Sequence, residues 1–223
     1  SGNINNYYDP DNSYPHAVLK TRRGIPISLA VLWLELAQGL GLNARGVAFP
    51  AHFMVKVNLP KGQVVTDPFT GQSLSREDLH ERLIPFNQQN GLADLNRQLS
   101  NMGDYGDTLS PKNDKEAPDA DIPLGLYLQA AKSRDIITRM LHNLKEVHRT
   151  AEDWQRMIPV QDRLIVLNAD AWSEYRDRGL AFAELGKATP AVRDFDVYLL
   201  NVTDAPDVKA IALRAQELRR AVI

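Results

Sequence analysis

Apolar residues are densest at 27–38, where they cover nearly every face of a possible helix. Pro26 stands at a favourable first helical position, and Gly39 follows the run as a helix terminator. Apolar side chains on all faces are typical of a helix that is buried on every side. The pattern therefore predicts a central buried helix with Trp33 and Leu36 in the core.

Short alternating segments follow this helix. Residues 44–49 and 53–58 each predict a strand, and residues 63–66 predict a return strand. The intervening sequence Leu59-Pro60-Lys61-Gly62 is typical of a tight turn, because proline fixes φ and glycine accepts a positive φ. The pattern predicts an antiparallel hairpin, in which the residues just before 53 and just after 66 return to the same end.

A capped helix and a polar segment end this first region. Ser75 is followed three residues later by Asp78, which predicts a helix start. We expect that helix to end near Leu83, before Pro85. Residues 87–122 are rich in Asn, Gln, Gly, Asp, Ser and Pro, which predicts a linker or mobile loop.

The last hundred residues have a helical pattern throughout. The pair Asp170-Ala171 recurs as Asp204-Ala205 at an offset of 34 residues, the length of a tetratricopeptide helix pair. Residues 131–167 predict an earlier helix pair and residues 207–222 a final capping helix. Helical hairpins packed by Leu and Ala without a true repeat are the alternative interpretation. The small and aromatic positions that support a repeat are Gly179, Phe182, Ala191 and Phe195.

These elements predict the α+β class, with a buried helix and a small antiparallel sheet followed by an all-α region. The corresponding domains are a core at 1–86, a linker at 87–122 and a helical domain at 123–223.

Composition narrows the possible functions. The chain has 223 residues, a net charge of -2 and an isoelectric point near 6.2, so nothing favours a nucleic-acid or membrane partner. There is no cysteine, which excludes disulfides and thiol chemistry and fits a cytoplasmic location. No apolar run reaches the roughly 18 residues of a membrane span. The five histidines show no metal-ligand spacing, and we expect neither a metal nor a cofactor.

Three residues stand where a Cys, His, Asp constellation of the papain type would have its catalytic groups. Ser28 lies in the first turn of the buried helix, His52 just before the first hairpin strand, and Asp67 just after the second. A helix N-terminus favours developing negative charge, and a histidine oriented by a carboxylate can act as a base. The sequence therefore predicts a polar cluster of Ser28, His52 and Asp67, with a hydroxyl in place of a thiol.

Each of these residues also has an ordinary structural interpretation. Ser28 can bond a free amide in the first helical turn, His52 can bond a strand-end carbonyl, and Asp67 can begin an Asp-Pro turn. Serine also lacks the ready ionisation of cysteine, since its proton must leave during attack. This favours lost or weak activity unless the pocket has readjusted.

The motifs as a whole resemble the SirB-type transglutaminase-like family with C-terminal tetratricopeptide repeats. The resemblance covers roughly residues 1–85 and rests on Tyr7-Tyr8-Asp9-Pro10-Asp11-Asn12-Ser13-Tyr14, Arg22-Arg23-Gly24-Ile25-Pro26-Ile27-Ser28-Leu29-Ala30, His52-Phe53-Met54-Val55 and Asp67-Pro68-Phe69-Thr70-Gly71. It implies a papain-like transglutaminase core, with Ser28, His52 and Asp67 at the positions of the Cys, His and Asp of active transglutaminases. Ala51 departs from the family pattern, where a glycine before the histidine is more usual.

The sequence is compatible with two alternative functions. The first is a non-catalytic or weakly active transglutaminase-like module that binds a protein or peptide through its helical repeats. The second is a serine-dependent peptide or amide hydrolase, or an acyltransferase, that uses Ser28, His52 and Asp67. The serine favours the first, and the retention of both His52 and Asp67 favours the second.

Overall fold

The computed structural model describes residues 2–3, 5–89 and 123–221, so most of the predicted linker at 87–122 lies outside the described residues. The chain forms two compact units, a helical unit of Ser1–Leu29 with Lys132–Ile223 and a sheet unit of Ala30–Ala131. This division differs from the predicted boundaries at 86 and 123, which stay a prediction. Within residues 5–89 and 123–221, no helix is both long and apolar enough to cross a bilayer.

The described helices and strands confirm the predicted α+β class. The helices are α1 (Pro15–Thr21), α2 (Pro26–Gly39), α3 (Arg76–Gln89), α4 (Leu124–Tyr127), α5 (Ser133–Thr150), α6 (Trp154–Leu167), α7 (Trp172–Glu184), α8 (Ala188–Asn201) and α9 (Val208–Ala221). The strands are β1 (Ala44–Phe49), β2 (His52–Leu59), β3 (Gly62–Thr66) and β4 (Ser73–Leu74).

The sheet is antiparallel throughout, in the order β1-β2-β3-β4. In the predicted hairpin, Val55 of β2 pairs with Thr66 of β3, and Leu59 pairs with Gly62 across the turn. Phe53, Met54 and Val55 are all buried, so this part of β2 is covered on both faces. One face packs in a core cluster of Val47, Phe49, Met54, Val65, Leu79, Leu83, Leu124, Tyr127 and Leu128.

The prediction that α2 is buried on every side is wrong. Its buried apolar residues are Ile27, Ala30, Leu34 and Ala37, a stripe with helical spacing, whereas Leu36 is 71% exposed. Apolar content therefore identified the helix, but it did not identify the buried face. Trp33 is half-buried and does not belong to the fully buried core.

The predicted end of α3 before Pro85 is also wrong, because the helix continues through the proline to Gln89. A proline inside a helix removes one backbone hydrogen bond. Here the following turn brings Phe86 onto the sheet-unit core, where its ring meets that of Tyr127 edge-on with centroids 6.3 Å apart. The predicted cap is confirmed: the Asp78 amide donates to Ser75 Oγ at 3.1 Å and the Ser75 amide to Asp78 Oδ2 at 2.8 Å.

In the helical unit, consecutive helices from α5 to α9 pack against one another as the predicted hairpins. The predicted repeat positions meet in one core, where Ala191 and Phe195 are fully buried and Phe182 packs against them. Gly179 is required by close approach, since a Cβ atom there would lie 2.6 Å from Phe195 Cε1. These contacts support a repeat unit over unrelated helices.

Gly179→Ala should lower the free energy of unfolding by about 1–3 kcal/mol, because the added methyl overpacks a rigid buried ring. Alanine has a higher helix propensity than glycine, so a loss of stability in this variant has to come from the clash with Phe195. Gly39→Ala is the matched control, since a Cβ at that helical glycine meets nothing within 4 Å. Urea titration of both variants checks the difference, and a Phe195→Leu background should shrink the Gly179 effect.

The segment before α2 belongs to the helical unit because it packs on the α5–α6 hairpin. Tyr14 lies against the cluster of Leu141, Leu144, Val160 and Leu164. Its hydroxyl is 3.2 Å from Nε2 of His148, which is 1% exposed. The pKa of His148 is lowered, chiefly because burial disfavours the charged imidazolium.

Candidate functional site

His52 is placed by the tight turn between β1 and β2. Phe49 pairs with His52 across a two-residue turn of Pro50 and Ala51. Ala51 has a φ of 56°, in the left-handed region that glycine adopts without strain. The alanine that departs from the family pattern is therefore held in a conformation that suits glycine. His52 begins β2 with its side chain 24% exposed.

Asp67 is placed by the loop that follows β3. Its backbone amide donates to Gln72 O at 2.9 Å, and its carbonyl accepts from the Gly71 amide at 2.7 Å. Its Oδ1 accepts the Phe69 amide at 2.8 Å, which is the Asp-Pro turn that the sequence suggested as its structural role. The same Oδ1 lies 2.9 Å from His52 Nε2, so one carboxylate oxygen contacts both the turn amide and the histidine.

The charges around Asp67 hold it in the ionised form. Burial raises the pKa of the Asp67 carboxyl, but hydrogen bonds from His52 and the Phe69 amide outweigh burial and leave the pKa below its usual value. A carboxylate only accepts hydrogen bonds, so His52 donates to it through Nε2, and in the neutral imidazole Nδ1 is the nitrogen that can accept a proton. This is the tautomer that a general base oriented by a carboxylate needs.

Arg82 of α3 is a further member of the cluster that sequence reasoning missed. Its Nη1 is 3.7 Å from Oδ2 of Asp67, and its side chain is 39% exposed. An open pocket of about 540 Å³ adjoins it, lined by Gln72, Ser73, Leu74, Asp78, Glu81 and Arg82. No local motif singles out this arginine, because its contact depends on how α3 packs beside the loop at Asp67.

Ser28 has a different environment, formed by the segment before α2. Its Oγ lies 2.5 Å from Asn12 O and 3.0 Å from Ile25 O, and it accepts the Ile25 amide at 3.2 Å. The side chain is fully buried. Ser28 therefore accepts a backbone amide at the start of α2, as its ordinary structural interpretation predicted.

The contacts of the three candidate residues thus form two groups. His52 and Asp67 are in contact within the sheet unit, and Ser28 is bonded to main chain within the helical unit. The expected convergence of all three, and their catalytic use, stay predictions. Among residues 5–89 and 123–221, no group of three His, Asp or Glu side chains could hold a metal ion.

Asp67→Asn should lower the free energy of unfolding by about 1–3 kcal/mol at pH 7, because hydrogen bonds to a charged group are lost. A carboxyl with a lowered folded pKa stabilises the fold above its unfolded pKa, and that stability is lost as pH falls through the folded pKa. The gap between wild type and variant should therefore narrow below about pH 5.

Urea titrations at pH 7 and pH 3 measure this gap. Asp11→Asn is the control, since Asp11 is exposed and should give no comparable gap at either pH. A gap of equal size at both pH values would mean that the charge on Asp67 contributes nothing to stability.

Comparison with known proteins gives two family matches. Residues 1–142 match the model of the transglutaminase-like superfamily, and residues 144–216 match a tetratricopeptide repeat model. A UPF0162 protein of Xylella fastidiosa (strain Temecula1) is 38% identical over 200 residues, which cover 89% of this chain and 62% of the relative. A UPF0162 protein of Vibrio cholerae is 25% identical over 98% of this chain and 70% of the relative.

A short segment also resembles a eukaryotic protein. F-box only protein 21 of Mus musculus is 46% identical over 55 residues, which are 25% of this chain and 9% of that protein. The chain spans less than two thirds of the length of the Xylella relative.

Proposed function

The chain belongs to the transglutaminase-like superfamily, whose model matches residues 1–142, and we propose that it works as a protein-interaction module without acyl-transfer activity. Its tetratricopeptide match at residues 144–216 supports a module of this kind. In this proposal the helical unit binds a protein or peptide partner, and Ser28 has a structural role. The cytoplasmic location expected from the sequence stays a prediction.

The observation that carries the proposal is the bonding of the Ser28 hydroxyl. A serine hydroxyl has one proton, and the nearest acceptor for it is Asn12 O at 2.5 Å. A nucleophilic serine must give this proton to a base and meet the substrate. A fully buried hydroxyl that donates to a main-chain carbonyl does neither in this state.

Partner binding is supported by the build of the helical unit. Stacked helix pairs make an extended surface in repeat proteins, and such surfaces bind peptides and proteins. Here α5 to α9 form that stack, and their mutual packing is continuous.

A serine-dependent hydrolase or acyltransferase is the second candidate. The contact between His52 Nε2 and Asp67 Oδ1 at 2.9 Å favours it, because a structural histidine does not require a buried carboxylate partner. In this alternative, Ser28 is the nucleophile and His52, oriented by Asp67, is the base that takes its proton.

Labelling with a fluorophosphonate probe separates the two candidates. We expect the wild-type protein to be labelled no faster than Ser28→Ala, because a nucleophile that keeps its proton does not attack the probe. Mass spectrometry of the intact protein measures the adduct, and a known serine hydrolase in the same reaction is the positive control. Stoichiometric labelling that Ser28→Ala abolishes would establish the enzyme and reject the proposal.

A further inference from the structure

The Ser28 oxygen occupies a site with the dimensions of a hydroxyl group. Three main-chain atoms surround it, Asn12 O at 2.5 Å, Ile25 O at 3.0 Å and the Ile25 nitrogen at 3.2 Å. These are lengths for hydrogen bonds of oxygen. A sulfur atom is larger and a weaker donor and acceptor, so it does not fit the same three contacts.

The packing at Gly24 leaves no room for a side chain beside this site. A Cβ atom on Gly24 would lie 2.8 Å from Ser28 Oγ and 3.1 Å from a methyl of Val18. Any side chain at 24 would therefore displace the Ser28 oxygen or Val18. No spare volume adjoins the oxygen on this side.

Asn12 holds the carbonyl that receives the Ser28 proton. The asparagine is 3% exposed, and its side-chain amide donates to Asn6 O at 2.6 Å and Tyr7 O at 3.2 Å. Its Oδ1 accepts from Nδ2 of Asn3 at 3.0 Å. The amide donors and the oxygen acceptor of this side chain all form hydrogen bonds. These bonds hold Asn12 in place within the loop before α1.

We propose that Asn12 is the positioning residue of Ser28, and that position 28 is built to hold a hydroxyl and not a thiol. The side chain of Asn12 fixes its own carbonyl, and this carbonyl fixes the direction of the Ser28 O–H bond. The inference rests on the proposed function and deepens it, because it gives a physical reason why Ser28 does not act as a nucleophile.

A thiol placed at this position shows whether the inference is correct. Full burial and two neighbouring carbonyl oxygens disfavour a thiolate at position 28 more than the Ile25 amide and the helix N-terminus favour it, so the thiol of Ser28→Cys should titrate no lower than that of a free cysteine. We expect iodoacetamide to alkylate it at least tenfold more slowly than a free thiol at pH 7. Rates measured from pH 6 to 10 give the full profile.

The role of Asn12 is tested in the same background. Adding Asn12→Ala should speed alkylation at least tenfold, because the loop no longer holds the carbonyl over position 28. Asn3→Ala, which removes one bond to Asn12, should give a smaller increase. Asn5→Ala in the same loop should change nothing, since Asn5 is exposed. Circular dichroism and urea midpoints confirm that each variant is folded during the reaction.

A measurement on the unmodified serine covers the case in which Asn12→Ala does not fold. The buried Ser28 hydroxyl proton should exchange slowly enough to give an NMR signal, and Asn3→Ala should weaken that signal while Asn5→Ala leaves it. Absence of the signal in the wild-type protein would overturn the positioning role.

Different experimental results would overturn this inference and the proposed function. A thiol that alkylates faster than a free one and titrates lower would overturn both this inference and the proposed function. Equal slow rates with and without Asn12→Ala, in folded proteins, would overturn the role of Asn12 alone. Fluorophosphonate labelling of the wild-type Ser28 would reject the proposed function whatever the thiol does.

Discussion

Lys145→Ala should lower the free energy of unfolding by about 3–5 kcal/mol, because it leaves the buried Glu174 carboxylate without its lysine partner. Lys145 is 6% exposed, and its ammonium donates to Glu174 Oε1 at 2.9 Å and Oε2 at 2.8 Å. The same nitrogen lies 2.6 Å from Oδ2 of Asp177. Glu174 is itself 3% exposed, so water cannot replace the lysine without opening the α5–α7 contact.

Urea unfolding at pH 7 measures this loss against Lys209→Ala. Lys209 is exposed on α9, and its removal should change stability by less than about 0.5 kcal/mol. The double variant Lys145→Met with Glu174→Gln should recover part of the loss, because it removes a buried charge of each sign. A loss below about 1 kcal/mol for Lys145→Ala would mean that the Glu174 carboxylate finds another partner.

This ion cluster was not predictable from the sequence. Lys145 stands between Leu144 and Glu146 on a helix whose pattern only predicts a hairpin. Its partner Glu174 is 29 residues away, on the next helix pair. Periodicity identifies faces of one helix, but it carries no information on which polar side chains meet across two helices.

Elements governed by local pattern were predictable. The strand at 44–49 has the predicted bounds, and the hairpin turn at 59–62 lies where Pro and Gly placed it. The helix pairs were predicted from the helical pattern and a 34-residue recurrence, and Gly179 and Phe195 were among the positions that supported the repeat. In each case the information lies within a short stretch of chain, and tertiary contacts only had to agree with it.

The candidate site was predictable in part for the same reason. A hairpin returns its two ends to one place, which predicted that His52 and Asp67 lie at the same end. Their contact at 2.9 Å also depends on the register of the strands, which the sequence does not fix. Arg82 and Asn12 were missed, because each reaches the site through packing of a separate segment. The environment of Ser28 depends on an asparagine 16 residues before it, and no spacing rule connects the two.

Leu34→Ala should lower the free energy of unfolding by about 2–5 kcal/mol, whereas Leu36→Ala should cost less than about 0.5 kcal/mol. Both leucines lie on α2, two residues apart, but Leu34 is 7% exposed and Leu36 is 71% exposed. The chemical change and the loss of helix propensity are nearly the same at both positions, so burial alone produces the difference. The pair therefore tests the one-sided burial of α2 directly.

Urea titration of the two variants, with the slopes compared, gives both losses under the same conditions. The sequence pattern of 27–38 predicts a large loss at both positions, since it places apolar residues on every face. The structure predicts it only at Leu34, which continues the buried stripe of Ile27, Ala30 and Ala37. Equal losses above about 2 kcal/mol would restore the fully buried helix, and negligible losses at both would place α2 outside the core.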